Sequence, residues 1–321
     1  MAIEVPVKII PLDYQDSIYE RGETFSYWVQ TNDRTNSAVD MATCSETIEG
    51  VCGNILVNAL AMTHSATGRY HYEYAIPNNA NYGKYKITIE STTPTDTFIY
   101  TDEFFVLPWK MDKEVRMKTG LSETKDIKGI DLANICWQSY QEALRDVFIY
   151  HHNEAPSGNP TTGTLYDGSN TSFKLNDNLA DINGDGSVTG WGQTSCLTDI
   201  DGCWYDENKI WQQLKITVTN RYSGEVTITQ RDGTPIPQNN NGVYVKYYTE
   251  YESYNEYLFQ QASCYLAAHN VVLRLKAADR VTIADLNTNK VLIEKDERRF
   301  INKYHDILEQ IKEPSFRGVV I

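Results

Sequence analysis

A chain of 321 residues is long enough for two or three domains and does not depend on disulfides or a metal for its only core. Hydrophobic residues make up 41% and charged residues 22%, with 22 Tyr, 9 Phe and 6 Trp, which excludes a disordered chain. The formal charge of −14 argues against a general DNA-coating role, because backbone binding needs a basic footprint. No apolar run approaches the roughly 18 uncharged residues of a membrane helix. The opening MAIEVPVKIIPLDYQD has neither a basic leader nor a continuous apolar stretch, so the expectation is a soluble chain without a signal of its own and with no membrane partner.

Residues 1–108 read as all-β. Candidate strands are Ile3 to Ile9, Thr24 to Gln30, Ile55 to Ala61, Arg69 to Ile76, Lys84 to Glu90 and Phe98 to Val106. Tyr70, Tyr72, Tyr74 and Ile76 alternate with other residues, as do Tyr85, Ile87 and Ile89, which turns one face of each strand into a shared core. Short strands at this spacing predict an immunoglobulin-like β-sandwich. An outward row of the same tyrosines would instead suit a sugar; core packing explains the pattern more cheaply.

Residues 109–125 read as a charged linker, and at 126 the period changes. Leu132, Cys136, Tyr140, Ala143, Leu144, Val147 and His151 recur at three or four, predicting a helix of about 20 residues within 126–152, the first part of a helical domain, with Asp131 near its positive end. Residues 153–209 are rich in Gly, Asn, Asp, Ser and Thr and read as a polar insertion, too long for a plain loop in a compact domain. Within 210–321, strands are expected at Leu214 to Thr219, Glu225 to Thr229 and Val243 to Tyr247. Two helices follow, marked by Tyr254 to Leu275 and by Ile293 to Ile311. The fold class expected is multidomain α+β: the sandwich, then a helical domain with a small antiparallel sheet and the polar insertion.

The sharpest chemical pattern lies in the insertion. Asp181, Asn183 and Asp185 occupy positions one, three and five of a calcium-type loop, with Gly186 for the turn, the Ser187 carbonyl at seven and the Thr189 hydroxyl at nine. A hard cation needs that density of oxygens. Position twelve is Gly192 rather than a bidentate acid, so closure falls to another acid: Asp199, Asp201 or Asp206. Calcium binding, the same loop without metal, and a different ion are the three readings. If calcium binds, it orders the insertion rather than catalysing a reaction.

Six cysteines are present. Cys136 and Cys264 fall in apolar helical patterns and read as core. The pairs Cys44/Cys52 and Cys196/Cys203 admit free thiols, local disulfides or a zinc site with unusually wide spacing. Nucleotide-loop, zinc-hydrolase and serine-hydrolase motifs are absent from the sequence, and no set of catalytic residues stands out. Lys110, Lys113, Arg116 and Lys118, with a second basic group over 274–303, read as a solvated surface, a ring lumen or partner contact, or a nucleic-acid face.

Three stretches carry a family resemblance: 115–121 followed by 130–144, then 258–269, then 283–290 running into the final helix. They resemble the head-to-tail adaptor or connector proteins of tailed bacterial or archaeal viruses, and the resemblance covers roughly 113–312. It implies a non-enzymatic virion protein at the head–tail junction, made in the host cytoplasm and assembled as a homo-oligomeric, dodecameric ring. The implied partners are a portal protein, a tail or tail-completion protein and the capsid, with DNA passing through without sequence-specific binding. The resemblance does not extend to the N-terminal β region, which looks like immunoglobulin-type additions on virion proteins, nor to 153–209. The rival reading is a carbohydrate- or cell-surface-binding module. A second rival, a polymer hydrolase, would need convergent acids in a pocket.

Overall fold

The structure is a computed structural model that describes residues 8–12, 17–33, 35–121, 127–156, 168–192, 198–205, 208, 210–238, 242–251, 254–277 and 286–312. It divides into two compact units, 1–137 and 138–321, within one helix.

In the first unit the strands are β1 (Lys8–Pro11), β2 (Ile18–Tyr19), β3 (Thr24–Asn32), β4 (Thr43–Glu49), β5 (Ile55–Ala61), β6 (Thr63–Ala66), β7 (Arg69–Ala75), β8 (Gly83–Thr92) and β9 (Thr97–Val106). They form an open four-stranded sheet, β1-β3-β7-β6, and an open five-stranded sheet, β2-β9-β8-β4-β5. The expected immunoglobulin-like β-sandwich is therefore corrected: no closed sandwich is seen among the described residues. Alternation turns Tyr85, Ile87 and Ile89 of β8 into one buried cluster, which Phe25, Tyr27 and Val29 of β3 share. It does not specify which strand pairs with which. The long β8–β9 hairpin runs in register from Gly83↔Val106 to Thr92↔Thr97, and β2 joins β9 in parallel, so this sheet grows sideways instead of closing. Residues 1–7 of the first expected strand lie outside the described residues.

Tyr27, Tyr70 and Tyr85 pack as core rings with hydrogen-bonded hydroxyls. Tyr27 donates to Asp102 Oδ2 at 2.7 Å, Tyr85 donates to the Asn81 carbonyl at 2.7 Å, and Tyr70 accepts from the Met41 N–H at 2.8 Å. An outward sugar-binding tyrosine row is not what this unit presents, since Tyr70 is buried and Tyr72 and Tyr74 pack against the cluster.

Part of the expected linker is helix α1 (Met111–Thr119). Met111 and Val115, four apart, bury one stripe, and Glu114 pairs with Lys118 at 3.3 Å on the flank. Helix α2 (Gly129–Asp146) follows, with Asp131 in its first turn as expected.

The second unit contains β10 (Phe148–Glu154), β11 (Ser172–Lys174), β12 (Asp201–Tyr205), β13 (Trp211–Asn220), β14 (Glu225–Gln230), β15 (Val243–Glu250), α3 (Glu256–Ala277) and α4 (Leu286–Lys312). The small sheet expected here is corrected to six strands, ordered β10-β15-β12-β13-β14-β11. Two come from the presumed insertion: β11 pairs with β14, and β12 lies between β13 and β15. The polar stretch is thus partly built into the sheet, because Phe173, Leu175, Leu179, Ile200 and Trp204 supply apolar side chains to its core. His151, expected at the end of a helix, lies on β10, where the Phe148-Ile149-Tyr150 run favours strand over helix. Helices α3 and α4 pack along one another, with the Tyr265 and Phe300 rings 6.3 Å apart, and Ala262, Ala267, Ala268 and Val271 of α3 and Phe300, Tyr304 and Ile311 of α4 are buried. Among the described residues, no helix is long and apolar enough to cross a membrane.

Candidate metal centre

The 181–189 loop is anchored at both ends by the sheet. Upstream, the Ala180 N–H bonds to the Tyr248 carbonyl at 2.8 Å. Downstream, Gly190 bridges Ile200 in parallel, and the Thr189 carbonyl accepts from the Asp199 N–H at 2.9 Å. That parallel contact brings Asp199 back over the loop start. At Gly190 there is no room for a side chain, since a Cβ would sit 2.3 Å from the Ile216 carbonyl oxygen. Gly184 has φ +68, and a Cβ there would meet the Tyr140 ring at 2.6 Å. Gln141 of α2 donates to the Asn183 carbonyl and holds the other side.

Asp181 organises the turn. Its Oδ1 accepts from the Gly184 N–H at 2.7 Å and its Oδ2 from the Gly186 N–H at 2.7 Å. Asp185 Oδ1 accepts from both the Ser187 N–H and its hydroxyl at 2.9 Å. Asp199 Oδ1 accepts from the Ile182 N–H at 3.0 Å and from Asn183 Nδ2 at 2.8 Å, while its Oδ2 accepts from the Thr189 N–H at 2.8 Å. Of the three acids considered for closure, the fold thus brings Asp199. Asp201 instead bonds the Gly202 N–H and the Gln213 amide, and Asp206 lies outside the described residues.

Electrostatics at this loop are those of crowded acids. Burial first, then the neighbouring Asp185, raises Asp181 to about 6 against the N–H bonds it accepts. Burial, opposed by the Thr189 N–H and reinforced by Asp181 and Asp185, raises Asp199 to about 7. A cation would relieve both effects, and a set of carboxylate, amide and hydroxyl oxygens has the chemistry of a calcium ligand set. The described conformation spends many of those oxygens on the loop's own N–H groups. Among the described residues, no group of three or more His, Cys, Asp or Glu is already arranged around a metal position. Binding therefore requires some of these oxygens to turn inward.

Other sequence candidates disperse. Cys44 is a buried free thiol that accepts from the Ser91 hydroxyl at 3.2 Å, so the Cys44/Cys52 loop is not closed, although Cys52 is disulfide-bonded. Cys203 is also free, and Cys196 lies outside the described residues. Cys136 and Cys264 are buried. Lys110 pairs with Glu23 at 2.6 Å and donates to the Ile18 carbonyl at 2.8 Å, a structural role within the first unit. Sequence reasoning missed a buried acid, Glu46, and an aromatic sheet face around Trp211 and Tyr248. The signals were there: Glu46 falls on the inward phase between Cys44 and Ile48, and Tyr244 and Tyr248 share one phase of β15.

No protein-family model matches the chain, and no curated protein matches it. Among solved structures, the filamin domain of Lin-41 is similar over 32% of this chain and 93% of its own, at 13% identity and TM-score 0.24. A mutant α2-macroglobulin from Salmonella covers 76% of this chain at 11% identity and TM-score 0.27, the match taking in 15% of the macroglobulin. A tetra-tandem repeat from the extending region of a large adhesion protein covers 77% at 9% identity and TM-score 0.29, with 49% of that chain matched. Likeness at this level carries no argument about fold or function.

Proposed function

We propose that this chain is a structural, non-enzymatic virion protein whose copies close into a ring between the portal at the capsid vertex and the tail, leaving a channel for DNA. The observation that carries the reading is the tying of three helices in the second unit. Asn270 of α3 donates to Ser139 Oγ of α2 at 3.0 Å, Tyr304 of α4 donates to Asp146 Oδ2 of α2 at 2.5 Å, and the Tyr140 ring meets Phe259 edge-on at 5.6 Å. The stretches that resemble connector proteins fall largely on α1, α2, α3 and the start of α4. Residues 120–121 follow α1, and 283–285 lie outside the described residues.

A closed ring needs two different patches on each subunit held at a fixed angle, so a rigid body that ties its helices together is the physical requirement. Tyr257 on α3, 66% exposed, suits one such patch. Net negative charge suits a channel wall, because a strongly basic one would hold the phosphate backbone. In this reading calcium, held by Asp181, Asn183, Asp185, Ser187, Thr189 and Asp199, supplies charge compensation to the loop and no chemistry. The partners are the portal, a tail or tail-completion protein and the capsid, at the head–tail junction.

Light scattering and negative-stain imaging of the purified chain, with and without calcium, test the proposal. A closed multimer of uniform subunit number is expected. A chain that remains monomeric alone and in the presence of the portal rejects the ring.

A further inference from the structure

The outer face of the six-stranded sheet carries an aromatic set that ring closure through α3 does not use. Along β15, Val243, Val245, Tyr247 and Thr249 are buried, while Tyr244, Lys246 and Tyr248 take the opposite, more accessible phase. Two aromatic pairs result, the first by register and the second diagonally across β12. Tyr150 of β10 stands opposite Tyr248 with ring centroids 4.8 Å apart, and Trp211 of β13 meets Tyr244 edge-on at 5.6 Å. Tyr150 is 49% and Trp211 56% exposed, a costly arrangement for rings that could have been buried. Tyr244 and Tyr248 are four residues apart on one strand, which separates the pairs by roughly 13 Å. That length exceeds one sugar ring and suits a short chain of them.

Polar groups lie between the pairs. Lys246 is in register with Asp201, so charge is balanced locally on a chain that is otherwise strongly acidic. Gln213 donates its amide to the Asp201 carboxylate and, at 3.0 Å, to the Gly202 carbonyl. An anionic polymer would find Lys246 offset by Asp201. A protein interface core is depleted of charge, whereas this face places an acid and a base at its middle. A neutral, hydroxylated, ring-shaped ligand fits both features: its C–H faces lie on aromatic rings, and its hydroxyls exchange hydrogen bonds with Lys246, Asp201 and Gln213. We propose that this face binds a neutral oligosaccharide along β15, with sugar rings stacked at the Trp211–Tyr244 and Tyr150–Tyr248 pairs.

The test titrates the full chain with gluco-, manno- and chito-oligosaccharides, from disaccharide to hexasaccharide, following heat and tryptophan fluorescence. At least one hexasaccharide is expected to bind, with its disaccharide at least about tenfold weaker. Trp211→Ala and Tyr248→Ala should each lower affinity about tenfold with an unchanged circular-dichroism spectrum. Should either variant fail to fold, the wild type still decides. Cys203 stands in register between Tyr244 and Gln213, so the bound hexasaccharide should slow its alkylation, read by peptide mass spectrometry. The proposal is overturned if no hexasaccharide binds, or if binding leaves Cys203 unprotected and survives both substitutions. It is equally overturned if Trp211→Ala dissolves a multimer of wild-type chains that binds none of the sugars, which would make this face a contact between copies.

Discussion

Asn183 donates its side-chain amide to Asp199 Oδ1 at 2.8 Å, joining the third position of the calcium-type loop to an acid beyond its usual twelfth. The same carboxylate accepts from the Ile182 and Thr189 N–H groups, so it closes the loop as well as adding charge. Asp199→Ala should cost about 1–3 kcal/mol without calcium by leaving those donors unanswered. It should also abolish any calcium-dependent rise in melting temperature, measured by scanning fluorimetry with calcium and with chelator.

The same acids give the second unit a pH signature. Asp181 and Asp199 are raised in the folded state to about 6 and about 7, above their ordinary value of 3.8. Their contribution is therefore fully present below about 4 and is lost as pH rises through 6 and 7. In chelator the melting temperature should fall across that window; with saturating calcium, which favours the ionised forms, the fall should shrink or reverse. Parallel melts across the window check this.

Glu46 makes a separate prediction for the first unit. It is completely buried on β4, neither carboxyl oxygen has a hydrogen-bond partner, and burial raises it to about 8 from 4.5. Stability should be greatest below about 4.5 and decline as pH passes through 8. Glu46→Gln removes the titration, so the melting temperature of the variant should lose this component of the decline between mildly acidic and alkaline buffer.

Tyr304 is 2% exposed and donates to Asp146, and its own ionisation is pushed up by burial and that acid. Removing the hydroxyl takes away a bond to a charged group that joins α4 to α2. Tyr304→Phe should destabilise the second unit by about 1.5–3 kcal/mol in urea unfolding, and under the ring proposal it should weaken assembly as well.

Gly190→Ala places a methyl 2.3 Å from the Ile216 carbonyl, a backbone atom that cannot turn aside. A loss of about 1–3 kcal/mol is expected, with the Asp199 side of the loop displaced. Reduced calcium affinity together with a lowered melting temperature would match; an unchanged variant would contradict the close approach.

Local patterns carried much of this molecule. The two-residue period of Tyr85, Ile87 and Ile89 identified β8 and its buried face, because a strand's alternation belongs to the strand alone. Likewise the apolar spacing behind α2 and α3, and the Asp181, Asn183, Asp185 run, are complete within a few turns of chain. Pairing partners are not. Nothing near Ile18 announces a parallel partner at Phe105, so a sandwich was expected where two open sheets form. Residues 172–174 and 201–205 read as polar insertion until their neighbours β14, β13 and β15 take up their hydrogen bonds. The same holds at the candidate sites: Asp199, Glu46 and the Trp211–Tyr244 pair acquire their properties from groups distant in sequence. Burial and electrostatic neighbours are sums over space, and a linear pattern records only those terms that lie along the chain.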